Sequence, residues 1–382
     1  MKRLSAFFTA IAVFIASGAG IKVSAAAPTQ SDISAKAAVL IEASTGQVIW
    51  GKGENTCLPM ASTTKIMSVI LTLESGDLDT EFTVDSSAVH TEGSSMGLRE
   101  GDIVSKRDLC IGMLLPSGND AANCAAVRVG GSFEGFAELM NAKASRLGMT
   151  STHFVTPSGL HDEKHYSTAK DMAMLTSYAL KNPDFSEICS QKTMKLSFGN
   201  PPFDRWLTNT NKLLSKYEGC IGVKTGFTDE AGRCLVSAAE KNGVTLICVT
   251  LNAPDDWNDH TKLYDYGFSV TESCDMGAVS YECVSFGGNT EKITLVTKRN
   301  VTIPKILGKC PEVTYSAAVP QRVYAPVFEG EQLGILTVKC GDRIIDEIPL
   351  ISADTLTVKV GEGYKPDIIA RSVDFVKELL FK

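Results

Sequence analysis

Ser62 and Lys65, three positions apart in the run Pro59-Met60-Ala61-Ser62-Thr63-Thr64-Lys65-Ile66-Met67, are residue types that together can make a nucleophile. On a helix, residues i and i+3 share a face, so the hydroxyl and the amine can meet. A serine hydroxyl attacks a carbonyl well only when a neighbouring base takes its proton, and a lysine is such a base only where its surroundings lower its pKa. Downstream, Ile66, Val69, Ile70 and Leu73 recur at helical spacing up to Gly76, which predicts a core helix whose first turn carries Ser62. Burial in such a helix would depress the lysine. A second pair with the same spacing, Ser167 and Lys170, reads differently: the serine as the N-cap of a helix running to Leu180, the lysine as a solvated side chain.

Two more short elements can join the first pair. Ser117-Gly118-Asn119 follows a helix that Ser105 and Asp108 would cap and that ends at Leu114-Leu115-Pro116; Asn119 or Asp120 can then cap the next helix through Val129. Lys224-Thr225-Gly226 lies in the first of three runs, Cys220–Phe227, Arg233–Ala238 and Val244–Leu251, which read as an antiparallel meander with Asn242-Gly243 at one turn. A hairpin over Ala37–Trp50 precedes Ser62, and a helix around Trp257–Tyr266 follows the meander.

The elements that must position these residues fit a first domain over 32–272. Beyond it the chain changes to short alternating runs, among them Lys292–Val296, Leu333–Lys339 and Asp342–Pro349, which predict a small all-β domain over 276–362. At the front, Lys2-Arg3, the apolar run Leu4–Ala16 and the small residues through Val23-Ser24-Ala25 read as a signal peptide over 1–25, too short to span a bilayer. At the other end, Phe375, Ile368, Leu379, Val376 and Val373 share one side of a helical wheel opposite Lys377, Asp374, Glu378 and Arg371. A helix over 365–382 of this kind suits the membrane interface, so the protein is expected to be exported to the outer face of the cytoplasmic membrane or the cell wall.

Composition narrows the chemistry further. With 382 residues, 44% apolar and 21% charged, the chain is ordinary globular protein of two or three domains. Its formal charge of −7 becomes more negative by three when Lys2, Arg3 and Lys22 leave with the leader, and no basic run remains, which argues against a nucleic-acid partner. An anionic substrate would need local positive charge. The eleven cysteines form no C-x-x-C and no metal-type pairing with the five histidines, so neither a metal nor another cofactor is expected. Cys110, Cys124, Cys234 and Cys248 sit in apolar runs and read as small buried hydrophobes.

The three elements, in this order and separated by 55 and 107 residues, resemble the motifs of the penicillin-recognising serine enzymes, which include the penicillin-binding proteins and serine β-lactamases. The runs Leu58–Met67, His165–Ala173, Thr210–Leu214 and Gly222–Thr228 are similar to those of the low-molecular-mass D-alanyl-D-alanine carboxypeptidases (peptidase S11), as is the layout of leader, catalytic domain, β-rich domain and amphipathic helix. The resemblance implies an α/β (α+β) transpeptidase/β-lactamase-like catalytic domain followed by the small all-β domain. It also implies a serine hydrolase acting on peptidoglycan stem peptides ending in D-Ala-D-Ala and acylated by β-lactam antibiotics. In that likeness Ser62 attacks the penultimate D-alanine carbonyl with Lys65 as base, backbone N–H groups of Ser62 and Phe227 form an oxyanion hole, and Ser117 relays a proton to the leaving amine. Asn119 bonds Lys65 and the substrate backbone, Lys224 and Thr225 hold the terminal carboxylate, Gly226 leaves room for the peptide, and Asn211 and Arg233 are further substrate-binding candidates. No Glu-x-x-Leu-Asn run follows Ser117, and the middle motif is Ser-Gly-Asn rather than Ser-Asp-Asn, so rapid penicillin turnover is not expected. A β-lactamase, a DD-endopeptidase, or a non-catalytic wall-binding or penicillin-sensing protein are the alternatives.

Overall fold

The computed structural model describes residues 26–359, so the leader over 1–25 and the helix over 365–382 lie outside the described residues. The first strands, β1 (Ala37–Glu42) and β2 (Val48–Lys52), form the expected antiparallel hairpin. Along β1 the side chains alternate between two cores: Ala37, Val39 and Ile41 enter one, Ala38 and Leu40 the other. A strand buried on both faces needs a layer on each side of its sheet.

Helices supply the first layer. α1 (Lys65–Glu74), α2 (Lys106–Leu114), α3 (Asn119–Gly130), α4 (Phe133–Arg146) and α5 (Ala169–Ala179) pack Ile66, Val69, Ile70, Met113, Phe136 and Met172 into one apolar cluster with Val39, Val223, Val236 and Val249 of the sheet. α2 opens on the expected capping box: Ser105 Oγ accepts from the Asp108 N–H at 3.1 Å, and the Asp108 carboxylate accepts from the Ser105 N–H at 2.9 Å. α5 departs from expectation. Its cap is Thr168, whose Oγ1 accepts from the Asp171 N–H at 3.0 Å, while Ser167 is fully buried and bonded to Thr152 Oγ1 at 2.8 Å. Lys170 is exposed, so the second serine–lysine pair does not meet.

A hairpin of β3 (Thr193–Gly199) and β4 (Pro202–Thr208) then leads to the meander β5 (Cys220–Thr228), β6 (Gly232–Lys241) and β7 (Val244–Leu251). Asn242 and Gly243 both have positive φ, as a two-residue type I′ turn requires. The strand order is β2-β1-β7-β6-β5, antiparallel throughout, which leaves β5 at an edge. α6 (Asp256–Val270) covers the second face, packing Leu263 and Tyr264 on Leu40, Leu235, Leu246 and Cys248. The polar groups in this layer are paired: His260 meets Ser237 Oγ at 2.6 Å and Thr250 Oγ1 at 3.0 Å, and Ser237 also meets the Tyr264 hydroxyl at 2.6 Å.

The remaining described residues form only strands and their connections. β8 (Thr271–Asp275) pairs with β11 (Thr302–Ile306). β9 (Ser280–Phe286), β10 (Lys292–Thr297), β12 (Thr314–Ala318), β13 (Arg322–Tyr324), β14 (Gln332–Cys340) and β15 (Arg343–Ser352) form a sheet of order β12-β14-β15-β10-β9-β13. Its own core holds Ile293, Leu295, Leu336, Val338, Ile348 and Leu350. Arg343 reaches back to the first domain, donating to Ser177 Oγ of α5 at 2.7 Å. Among the described residues no helix is long and apolar enough to cross a membrane.

Candidate active site

Ser62 lies on a tight turn rather than in the α-helix itself. Residues Ala61–Thr64 form one 3₁₀ turn, and α1 begins at Lys65. Ala61 takes φ +47°, a left-handed conformation that costs a residue with a Cβ about 1–2 kcal/mol. The turn is braced by neighbours that leave it little choice. Thr63 Oγ1 donates to the Met60 carbonyl at 2.6 Å. His165 accepts the Val155 and Thr156 N–H groups on Nδ1 at 2.9 and 3.2 Å, so its proton sits on Nε2, 2.7 Å from Thr64 Oγ1. Burial pushes His165 down to about 4, so the imidazole is neutral near pH 7. Gly159, at φ +86°, lies flat on the turn; a Cβ there would come within 2.0 Å of the Ala61 carbonyl oxygen.

That packing carries the carbonyl of Ser158 to Lys65. The Lys65 amine, with no exposed surface, has three oxygen partners: Ser62 Oγ at 2.8 Å, Asn119 Oδ1 at 2.7 Å and the Ser158 carbonyl at 2.7 Å. The Asn119 orientation follows from its other end, where Nδ2 donates to the Glu92 carbonyl at 2.7 Å. Burial above all, and then the charge of Lys224, hold Lys65 well below the usual lysine range, while Asp120 acts weakly the other way. A neutral amine has two N–H bonds and one lone pair. The two carbonyls can only accept, so they take the two N–H bonds and the lone pair faces the Ser62 hydroxyl. An amine held this way can accept a proton from the Ser62 hydroxyl.

β5 supplies the opposite wall. A Cβ on Gly226 would lie 3.0 Å from both the Ser62 nitrogen and the Met60 oxygen, so the strand edge passes directly against the Ser62 turn. The cleft, about 320 Å³, is lined by Ser62, Ser117, Thr225, Gly226, Phe227 and Arg233 among the expected residues, and by Ser94, Thr210, Lys212, Asp256 and Trp257, which sequence reasoning missed. Thr210 and Thr225 join their hydroxyls at 2.6 Å. Ser117, at φ +66°, brings its side chain to the cleft from the loop before α3. A larger cavity of about 580 Å³ lies between the two domains and contains none of these groups.

The other expected residues stand behind the cleft. Lys224 is buried, donates to the Thr225 carbonyl at 2.8 Å, and is pushed by burial down to about 7. Asn211 is buried too, outside the cleft lining: its Oδ1 accepts from the Leu213 N–H at 3.0 Å, fixing a turn, and its Nδ2 has no partner among the described residues. Arg233 is held by Asp256, Nη2 lying 2.8 and 2.9 Å from the two carboxylate oxygens. Asp120 does not cap α3 in the ordinary way. Its carboxylate accepts from Ser95 Oγ and from the N–H groups of Met96, Gly97 and Leu98 at 2.6–3.0 Å, and so pins the loop that rims the cleft.

If Lys65 is the base, an arginine cannot replace it, because a guanidinium stays protonated. Lys65→Arg is expected to slow β-lactam acylation of Ser62 by at least about 10²-fold, the usual contribution of a general base. The rate of adduct formation, followed by mass spectrometry, checks this; an Arg variant within a few-fold of wild type would remove Lys65 from the role.

Residues 22–255 match the peptidase S11 family, described as D-alanyl-D-alanine carboxypeptidase, and residues 268–357 match the C-terminal domain of penicillin-binding protein 5. The chain is 32% identical over 334 residues to the D-alanyl-D-alanine carboxypeptidase DacF of Bacillus subtilis, covering 84% of this chain and 86% of the relative. It is also 32% identical over 257 residues to the D-alanyl-D-alanine endopeptidase of Escherichia coli, covering 66% of this chain and 83% of that one. The crystal structure of the D-alanyl-D-alanine carboxypeptidase DacD from Francisella tularensis superposes with a TM-score of 0.61 at 26% identity, over 87% of this chain and 96% of the other. On these matches the chain belongs to the peptidase S11 family of D-alanyl-D-alanine carboxypeptidases and carries a C-terminal domain of the penicillin-binding protein 5 type.

Proposed function

We propose that the protein is a serine carboxypeptidase that removes the terminal D-alanine from peptidoglycan stem peptides ending in D-Ala-D-Ala. The observation that carries this reading is the buried Lys65 amine, whose lone pair is left for Ser62 by two carbonyl acceptors. Ser62 Oγ attacks the penultimate carbonyl as its proton moves to Lys65. The oxyanion is received by the N–H groups of Ser62 and Phe227, each such donor being worth about 3–4 kcal/mol to the transition state. Ser117 passes a proton to the departing amine, the C–N bond breaks, and Lys65 returns to its neutral form. Water then attacks the acyl-enzyme, giving its proton to Lys65, and the proton returns to Ser62 Oγ as the shortened peptide leaves.

The strand-edge position of β5 supports a substrate lying along it as an added strand, with Gly226 giving the close approach. Thr225 and Arg233 line the cleft where the terminal carboxylate would lie, while Lys224, buried behind them, supplies the charge that helps to depress Lys65. The same apparatus would open a β-lactam. Asp256 is the one carboxylate among the described lining residues, and Arg233 holds it, so no free acid is at hand to activate water against a bulky penicilloyl ester. That supports slow release of the adduct.

The likeness to an endopeptidase favours one second reading, cleavage of crosslinked stems by the same serine. The leader pattern supports export, and the amphipathic pattern of 365–382 supports attachment to the membrane surface. A chain truncated after Tyr364 is then expected to leave the membrane fraction; if it still sediments there, the helix is not the anchor.

The decisive assay is D-alanine release from a pentapeptide, with a crosslinked dimer alongside. Wild type should release D-alanine, penicillin should stop it with a covalent adduct on Ser62, and Ser62→Ala should lose both. Release by Ser62→Ala would rule out the mechanism, and faster cleavage of the dimer would favour the endopeptidase.

A further inference from the structure

The cleft carries a cation that the chemistry above leaves unused. Two basic side chains line it, Lys212 and Arg233. Arg233 is already paired with Asp256, at 2.8 Å, and lies over the Trp257 ring with 5.5 Å to its centroid. Lys224 is buried against the Thr225 carbonyl and lies outside the lining. Lys212 is exposed; its carbonyl accepts from the Ser215 and Lys216 N–H groups, while its ammonium has no hydrogen bond or ion pair among the described residues. Of the charges lining the cleft, Arg233 and Asp256 therefore cancel, and Lys212 sets the sign.

Its backbone is well anchored for that purpose. On one side the Thr210 N–H donates to the Leu115 carbonyl at 3.1 Å, and the Thr210 hydroxyl meets that of Thr225 at 2.6 Å. On the other, buried Asn211 ties the turn to the Leu213 N–H at 3.0 Å, where the short helix Leu213–Lys216 begins. Gly226 lies against the Ser62 nitrogen, so on the carboxypeptidase reading the scissile carbonyl would sit beside it, and Thr225 is the residue before it on β5. A terminal carboxylate stands one residue beyond the scissile carbonyl, a span of about 3.5 Å in an extended chain, and so falls beside the Thr225–Thr210 hydroxyl pair rather than deeper in the cleft.

We propose that Lys212 is a specificity-determining residue: with the Thr210 and Thr225 hydroxyls, its ammonium binds the substrate's terminal carboxylate and selects peptides that end in a free acid. This rests on the carboxypeptidase reading and names the group that recognises its substrate's end. A charge-assisted contact of this kind is worth about tenfold or more in binding.

The test is a comparison of two peptides, one ending in D-Ala-D-Ala as the free acid and one as the C-terminal amide, on wild type, Lys212→Met, Lys212→Arg and Lys216→Met. Lys216→Met removes the same charge at the far end of the short helix that Lys212 precedes, outside the cleft lining. In Lys212→Met the preference for the acid over the amide should fall about tenfold, chiefly through KM, with Lys212→Arg recovering most of it and Lys216→Met matching wild type. Equal effects of Lys212→Met on acid and amide, or no effect on either, would overturn the inference. If wild type releases neither D-alanine from the acid nor D-alaninamide from the amide, the carboxypeptidase reading fails instead. Acylation rates with benzylpenicillin and its methyl ester then provide the same acid-to-neutral comparison, with the same loss of preference expected in Lys212→Met.

Discussion

A primary amine cut off from water must either find a countercharge or give up its proton, because an unpaired buried cation costs several kcal/mol. Lys65 is in that position, and its three contacts are a hydroxyl and two carbonyls, none of them an acid. It also opens α1, where the positive end of the helix dipole adds to the penalty on a charged form. Lys224 pushes in the same direction. Only Asp120 opposes, and that carboxylate is spent on the backbone N–H groups of the loop before it.

Much of the first domain can be understood as what it takes to keep this arrangement in register. The Ser158 carbonyl reaches Lys65 because Gly159 lets its loop lie on the Ser62 turn, and His165 ties the same loop to Thr64. Asn119 presents its oxygen because the Glu92 carbonyl claims its nitrogen, and Asp120 fixes the loop between them. Ala61 and Ser117 both hold left-handed backbone that such bracing sustains, a pattern found where a site needs fixed geometry. The second pair shows the contrast: Ser167 is buried, Lys170 faces water, and spacing alone produces no site.

Elements with local causes were legible in the sequence. The capping box at Ser105, the Asn242-Gly243 turn and the apolar runs of β5, β6 and β7 depend on neighbouring residues and fall where expected. What depends on long-range packing was not. A backbone carbonyl such as that of Ser158 carries no residue-type signature, and Asp120 looks like a cap until the loop that folds onto it is known. Thr168 rather than Ser167 caps α5 because burial claims the serine hydroxyl. β3 alternates at Met194, Leu196 and Phe198 and was legible in principle, whereas in β4 the exposed Phe203 and Trp206 blur the pattern that marks a half-buried strand. Lys212 was part of a recognised run, yet nothing local distinguishes a cleft-lining lysine from its neighbour Lys216.

The central claim is that Lys65 is neutral beside Ser62 at working pH. Carbon-13 labelling of the lysine side chains, with the Lys65 resonance identified by its absence from Lys65→Arg, allows its titration to be followed directly by NMR. The account predicts a midpoint well below the ordinary lysine value of 10.5. A midpoint at that ordinary value would leave Ser62 without its base and contradict it.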